Sequence, residues 1–129
     1  MAEALLRAGL QAQGLDASVS SAGIGALDGK PVDPLATKVL KERGIDISAH
    51  RSSQYSSVAS LEHDLILVMT NAMRDTVLTD CPSLHGRVYR LGHWSNVEVA
   101  DPHMRGEAAF RKALKLIDTG VSEWLERIV

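Results

Sequence analysis

Cys81 and Arg87 stand six positions apart in Cys81-Pro-Ser-Leu-His-Gly-Arg87. A thiolate followed at that spacing by a guanidinium can attack phosphorus while the arginine fork holds the oxygens. The flanking sequence argues against that use. The stretch leads out of a helical pattern into a strand, whereas a phosphate cradle runs from a strand into a helix so that backbone N–H groups converge. Pro82 removes one of those donors, and Arg87 is followed by a valine and not by a hydroxyl residue. Cys81 therefore reads as a structural cysteine before a turn. A second candidate is Asp101-Pro102, a turn pair whose carboxyl group could act as a general acid and base if its loop presents it. Gly23-Ile24-Gly25 lacks both the third glycine and the following helix of a dinucleotide loop. The 5 histidines are scattered, with no His-x-x-x-His pair and no cysteine cluster, so neither a metal nor another cofactor is expected.

The elements that must carry these residues alternate between strands and helices. Met1 to Leu10 forms an amphipathic helical pattern, with Met1, Leu5, Ala8 and Ala12 on one side and Glu3, Arg7 and Gln11 on the other. Ala17 to Ile24 is β-prone and ends in a glycine-rich loop to Pro31. Asp33 is a good N-cap for a helix over Pro34 to Arg43, which Gly44 ends. Asp64 to Thr70 is an apolar run of the kind buried on both faces of a parallel sheet. A helix over Asn71 to Leu78, closed by Cys81-Pro82, precedes a third strand at Arg87 to Leu91. The last helix runs from about Gly106 to the end, with an interruption expected near Gly120; Met69 and Met73 read as core, and Arg105, Arg111 and Lys112 as a solvated face. This order predicts an α/β domain, a short parallel sheet covered by helices on both faces, with function at the carboxyl ends of its strands.

At 129 residues the chain makes one domain, and 4% aromatic content leaves aliphatic packing to build the core. A net charge of −2 gives no support to nucleic-acid binding. The longest apolar run, Leu65 to Met69, is too short to cross a membrane, and a lone cysteine fits a reducing cytoplasm. The first helix has no Ser, Thr, Asp or Asn ahead of it to satisfy its free N–H groups. That opening, and the small number of strands, lead us to expect a strand and an anion-binding loop ahead of Met1, so the chain reads as truncated at its N-terminus.

The stretches Met1-Ala-Glu-Ala-Leu-Leu6, Ser20-Ser-Ala-Gly23, His50 with its following Ser-Ser-Gln, Asp64 to Met69, and Ala100-Asp101-Pro102 together resemble the low-molecular-weight protein-tyrosine phosphatases over essentially all of residues 1–129. Ala22 to Leu27, followed by Gly92-His-Trp-Ser-Asn96, is most similar to the bacterial branch associated with exopolysaccharide and capsule export. The resemblance implies a three-layer phosphotyrosine phosphatase I-like sandwich with its first strand missing. It also implies hydrolysis of phosphotyrosine on protein through a cysteinyl phosphate, with no cofactor. In that family a strand and a Cys-x5-Arg-Ser loop precede the Met-Ala-Glu helix, so this chain is expected to be inactive as given. Asp101 matches the general acid. Leu27 and His103 match the rim of the substrate slot, His103 standing where a tyrosine is usual. Ser21 and His50 match residues that brace the phosphate loop; without it they are expected to bind water or each other. The implied partner is a tyrosine autokinase of polysaccharide export. A non-catalytic pseudophosphatase that docks such a kinase is the alternative reading, and arsenate reductase a further one, for which Cys81 alone supplies no resolving cysteines. Loss of a central strand further predicts a marginal chain, closed by a second copy at the exposed sheet edge, or by Ala17–Ile24 moving to pair with Asp64–Thr70.

Overall fold

The computed structural model describes residues 1–24 and 29–128. Helix α1 spans Ala2–Ala12, α2 Pro34–Lys41, and the single turn α3 Ser57–Ser60. Strand β1 (Ile66–Val68) leads into α4 (Asn71–Asp80), and a 3-10 turn at Pro82–Leu84 leads into β2 (Val88–Arg90). Helix α5, Glu107–Ile128, closes the chain.

The sheet consists of β1 and β2, parallel, with Ile66, Leu67 and Val68 opposite Val88, Tyr89 and Arg90. The alternation of side chains along these strands separates two cores. Leu67 and Tyr89 face a large cluster built from Leu5 of α1, Ala36, Val39 and Leu40 of α2, and the stripe Phe110, Ala113, Leu114, Ile117, Val121 and Trp124 of α5. Ile66, Val68 and Val88 face a smaller one with Val77 and Leu78 of α4, Cys81 and Leu84. The result is three layers: α1, α2 and α5, then the sheet, then α4. Met69 packs on the first cluster and Met73 on the second, as core residues.

Three sequence expectations need correction. Ala17–Ile24 is not a strand and does not pair with β1; its contribution is one isolated parallel bridge, Gly23 with Gln54. A strand is stabilised only by its ladder partner, and no described residue pairs along residues 17–22, most of which are exposed. The central run is not buried on both faces: Val68 is buried, but Leu65, Ile66, Leu67 and Met69 are half-buried, because β1 is paired along one edge. Helix α5 continues unbroken through Gly120. A Cβ there would lie 2.9 Å from both the carbonyl oxygen and Cγ of Leu91, so the glycine serves close approach of the β2 exit to the helix and not a break. Trp124 Nε1 donates to the same Leu91 oxygen at 2.9 Å. Gly120→Ala is therefore expected to lose about 1–3 kcal/mol by overpacking, although alanine gains about 1 kcal/mol in helix propensity. Urea unfolding checks this, and a variant as stable as the parent would show that the Leu91 contact yields freely.

Helix α2 follows its local signals. Asp33 Oδ1 accepts the N–H of Leu35 at 2.8 Å, Pro34 occupies the first turn, and Gly44 (φ 76°) turns the chain so that Ile45 N–H reaches Leu40 O at 3.0 Å. Exposed ion pairs join α2 to α5. Arg111 donates to both Glu42 oxygens at 2.8 and 3.0 Å, Lys38 meets Glu107 at 2.5 Å, and Arg43 meets Asp118 at 3.0 Å. Hydrogen bonding to Arg111 holds the Glu42 carboxyl below its usual range, and Lys38 does the same for Glu107.

Tyr55 sits at the edge of the second cluster with its hydroxyl buried and without a hydrogen-bond partner among the described residues. Burial pushes its pKa up, with a push in the same direction from the Asp80 carboxylate. The phenol thus ionises less readily in the folded chain than in the unfolded one, where tyrosine titrates near ~10. Stability is retained below that value and is lost as the pH climbs through the raised folded value. Tyr55→Phe removes both the orphaned hydroxyl and this loss. It is expected to be as stable as the parent or about 1 kcal/mol better at pH 8, with a margin that widens above pH 10. A margin unchanged by alkali in chemical unfolding would contradict this.

Candidate active site

The carboxyl end of β1 and the long connection from β2 to α5 converge in one place. Thr70 caps α4, its hydroxyl accepting from Met73 N–H at 3.2 Å. The connection returns to it twice: Val99 N–H donates to Met69 O at 3.0 Å, and Glu98 Oε1 accepts from Asn71 N–H at 2.7 Å. The first part of the connection is held by Arg90, which donates to Val97 O at 3.0 Å and to Asn96 Oδ1 at 2.9 Å. Gly92 is required at this turn, because a Cβ would run into the carbonyl oxygen of Val97. Tyr89, His93, Trp94 and Trp124 pack edge to face beneath it, and the Arg127 guanidinium lies 4.0 Å from the Trp94 ring centre.

Asp101 stands on the tethered part of this connection, exposed, with Oδ1 accepting the N–H of His103 at 2.9 Å. That bond is the local turn that an Asp-Pro sequence favours. His103 in turn places Nδ1 3.5 Å from Oδ2 of Asp33, the N-cap of α2. Asp101 and His103 are thus brought together, and His103 lies against the start of α2. Leu27 lies outside the described residues.

Ser21 and His50 also meet, but through a third residue that the sequence reading missed. Ser21 Oγ donates to Glu3 Oε1 at 2.9 Å, and His50 Nδ1 lies 3.5 Å from Glu3 Oε2. Arg7 completes the cluster at 3.2 Å from Glu3 Oε2 while donating to Val19 O at 2.6 Å. The carboxylate is 14% exposed, so the first turn of α1 carries a largely buried anion with three polar partners. Ser21 and His50 therefore bind Glu3 and not each other. The signal available beforehand was Glu3 and Arg7 four apart in the first helix.

Cys81 is buried, with Sγ 3.3 Å from Ser83 Oγ, and Arg87 turns away to donate to Leu61 O at 3.1 Å. The intervening residues form the 3-10 turn between α4 and β2, so this cysteine and arginine do not face a common site. Two hollows lie near these elements. One of 570 Å³ on α4 is lined by Asp75, Thr76, Thr79 and Asp80, whose carboxylates would repel a phosphate. The other, 150 Å³, lies between the Asp101 loop and α5. Among the described residues no group of three or more His, Cys, Asp or Glu side chains could hold a metal ion, and no helix is long and apolar enough to cross a membrane.

Comparison with known proteins agrees with this arrangement. All of residues 1–129 match the family described as low molecular weight phosphotyrosine protein phosphatase. The chain is 44% identical over 128 residues to the probable low molecular weight protein-tyrosine-phosphatase EpsP of Ralstonia nicotianae, covering 99% of this chain and 86% of that protein. Among solved structures it is similar to Wzb of Vibrio vulnificus in complex with benzylphosphonate, with a TM-score of 0.89, 31% identity, and coverage of 98% of this chain and 87% of that one. It is also similar to the tyrosine phosphatase Wzb of Escherichia coli K30 in complex with sulphate, with a TM-score of 0.91, 27% identity, and coverage of 99% and 87%. The layered α/β fold is that of these solved phosphatases, and the chain belongs to the low molecular weight phosphotyrosine protein phosphatase family.

Proposed function

We propose that this chain is the body of a phosphatase that removes phosphate from tyrosine on protein, with Asp101 as general acid and base. The observation that carries the reading is the Asp101 loop itself. It is exposed, tethered to the carboxyl end of β1 by Val99 and Glu98, and turned by its own hydrogen bond to His103. A carboxylic acid held there protonates the departing tyrosyl oxygen in the first step and accepts a proton from the attacking water in the second. His103 contributes to the rim around the aromatic ring. Ser21 and His50, gathered on Glu3 at the start of α1, support the loop that cradles the phosphate. A Vibrio relative that accommodates benzylphosphonate, a phosphorus group one carbon from an aromatic ring, supports an aryl phosphate as the ligand class.

The nucleophile and its arginine lie outside these 129 residues in this reading. Their one cysteine is Cys81, buried behind α4 and paired with Ser83. The 129 residues alone are therefore expected to be inactive. In this reading the physiological partner is a phosphorylated tyrosine kinase of polysaccharide export in the cytoplasm, as the sequence resemblance implies; likeness to the EpsP protein-tyrosine-phosphatase supports a phosphotyrosine protein as the substrate. Among the described residues the sheet has two strands, and its outer edges favour closure by another strand, from the same chain or a second copy.

Phosphate release from phosphotyrosine, phosphoserine and phosphoarginine peptides by the protein at its full coding length tests the substrate. Turnover confined to phosphotyrosine supports the reading, and preference for either other peptide overturns it. A full-length protein that binds the phosphotyrosine peptide without turnover would favour the docking module instead.

A further inference from the structure

The Asp101 turn is held almost entirely by its own residues. His103 N–H donates to Asp101 Oδ1 at 2.9 Å, and Arg105 N–H donates to Pro102 O at 3.0 Å. Met104, exposed, takes the left-handed conformation at φ 62°, which L side chains rarely adopt, and Gly106 follows at φ 87°. A course of that kind persists only where surrounding contacts hold it. Among the described residues a single ion pair, and no hydrogen bond, ties residues 100–105 to another element: His103 Nδ1 lies 3.5 Å from Asp33 Oδ2.

Asp33 is fixed where the turn is not. Its Oδ1 accepts Leu35 N–H at 2.8 Å, and its carbonyl oxygen accepts Thr37 N–H at 3.1 Å, so it is part of the first turn of α2. That helix is anchored by Val39 and Leu40 in the first core, and to α5 by the pairs of Lys38 with Glu107 and of Glu42 with Arg111. The Asp33 side chain is 27% exposed, against 66% for His103. One carboxylate therefore has two tasks. One oxygen caps a packed helix, and the other faces the ring of the residue whose backbone N–H orients Asp101.

We propose that Asp33 is a positioning residue for the general acid, fixing the Asp101 turn to α2 through His103. The proposal rests on the phosphatase reading above and adds to it a residue that acts through the acid. The Asp33 carboxylate suits the His103 ring both in its neutral form with the proton on Nδ1 and in its protonated form, since Nδ1 is a donor in each. The pair is partly solvated, so its worth is that of an exposed ion pair, about twofold to fivefold in rate.

The test is a double-variant cycle in the protein at its full coding length, read as kcat on a phosphotyrosine peptide. Asp33→Asn and Asp33→Ser both keep a good N-cap for α2. The first removes the charge facing His103, and the second also removes the reach. Both are expected to unfold at the urea midpoint of the parent and to lower kcat about twofold to fivefold, Asp33→Ser at least as much as Asp33→Asn. Combined with Asp101→Asn, neither should slow the enzyme further, because the residue acts through that proton. A purely structural contribution would slow both backgrounds alike. An equal loss in the Asp101→Asn background, or parental kcat in Asp33→Ser, overturns the proposal and leaves the phosphatase reading standing. Parental kcat in Asp101→Asn itself overturns that reading, and the proposal with it.

Discussion

Replacing Asp101 by asparagine in the hydrolytically competent protein is expected to lower kcat for a phosphotyrosine peptide by about 100- to 10,000-fold, the usual worth of a positioned general acid. The asparagine keeps the size of the side chain and can still accept from His103 N–H, so the loop geometry survives and the change isolates the proton. The leaving group supplies an internal control. Tyrosine departs as an oxyanion whose conjugate acid has a pKa of about 10, so it needs the proton in the transition state. p-Nitrophenol is a better leaving group and needs it less, so the same variant should lose much less activity on p-nitrophenyl phosphate. Equal losses on both substrates would mean that Asp101 positions the loop and does not deliver the proton. Wild-type rates on both would remove it from the mechanism.

The largest effect on stability is expected from Leu40→Ala. Leu40 is fully buried in the first core, and its carbonyl receives the N–H groups of Arg43 and Ile45 that end α2. Truncation leaves a cavity between α2 and α5 and should cost about 2–5 kcal/mol, a large part of a domain stability of about 5–15 kcal/mol. The loss has a functional side. Asp33, at the start of the same helix, touches His103, so loosening α2 should also loosen the Asp101 loop. Leu84→Ala is the matched comparison, because Leu84 is equally buried but belongs to the second core behind α4. Urea unfolding should give similar losses for the two, with Leu40→Ala having the greater effect on turnover under conditions where both are folded. Leu40→Ala within 1 kcal/mol of the parent would show that the first core closes over the gap.

These two residues also illustrate where sequence is informative. The ends of α2 are written locally, in Asp33-Pro34 and Gly44, because capping is a matter of a few adjacent N–H and C=O groups. The Asp101 turn is legible for the same reason, since its hydrogen bond spans two residues. Non-local features were not legible. Gly120 looks like a helix break until Leu91 is found against it. Ala17–Ile24 has the composition of a strand, but a strand exists only with a neighbour, and composition cannot supply one. Glu3 was not singled out, because its partners Ser21 and His50 lie 18 and 47 residues away and reach it only in the fold. Arg105 and Lys112 read as an ordinary solvated face. Arg111, read as part of the same face, instead pairs with Glu42 and Glu107.

In the proposed reading residues 1–129 contribute the acid, Asp101, and the cluster on Glu3 that supports the phosphate loop, and Cys81 is not the nucleophile. The most direct test is p-nitrophenyl phosphate hydrolysis by two purified proteins, the 129-residue chain and the same chain with the residues that precede it in the coding sequence. Turnover by the longer protein alone, unaffected by Cys81→Ser, is the expected result. Turnover by the 129-residue chain, abolished by Cys81→Ser, would contradict this reading and make the buried cysteine behind α4 the nucleophile.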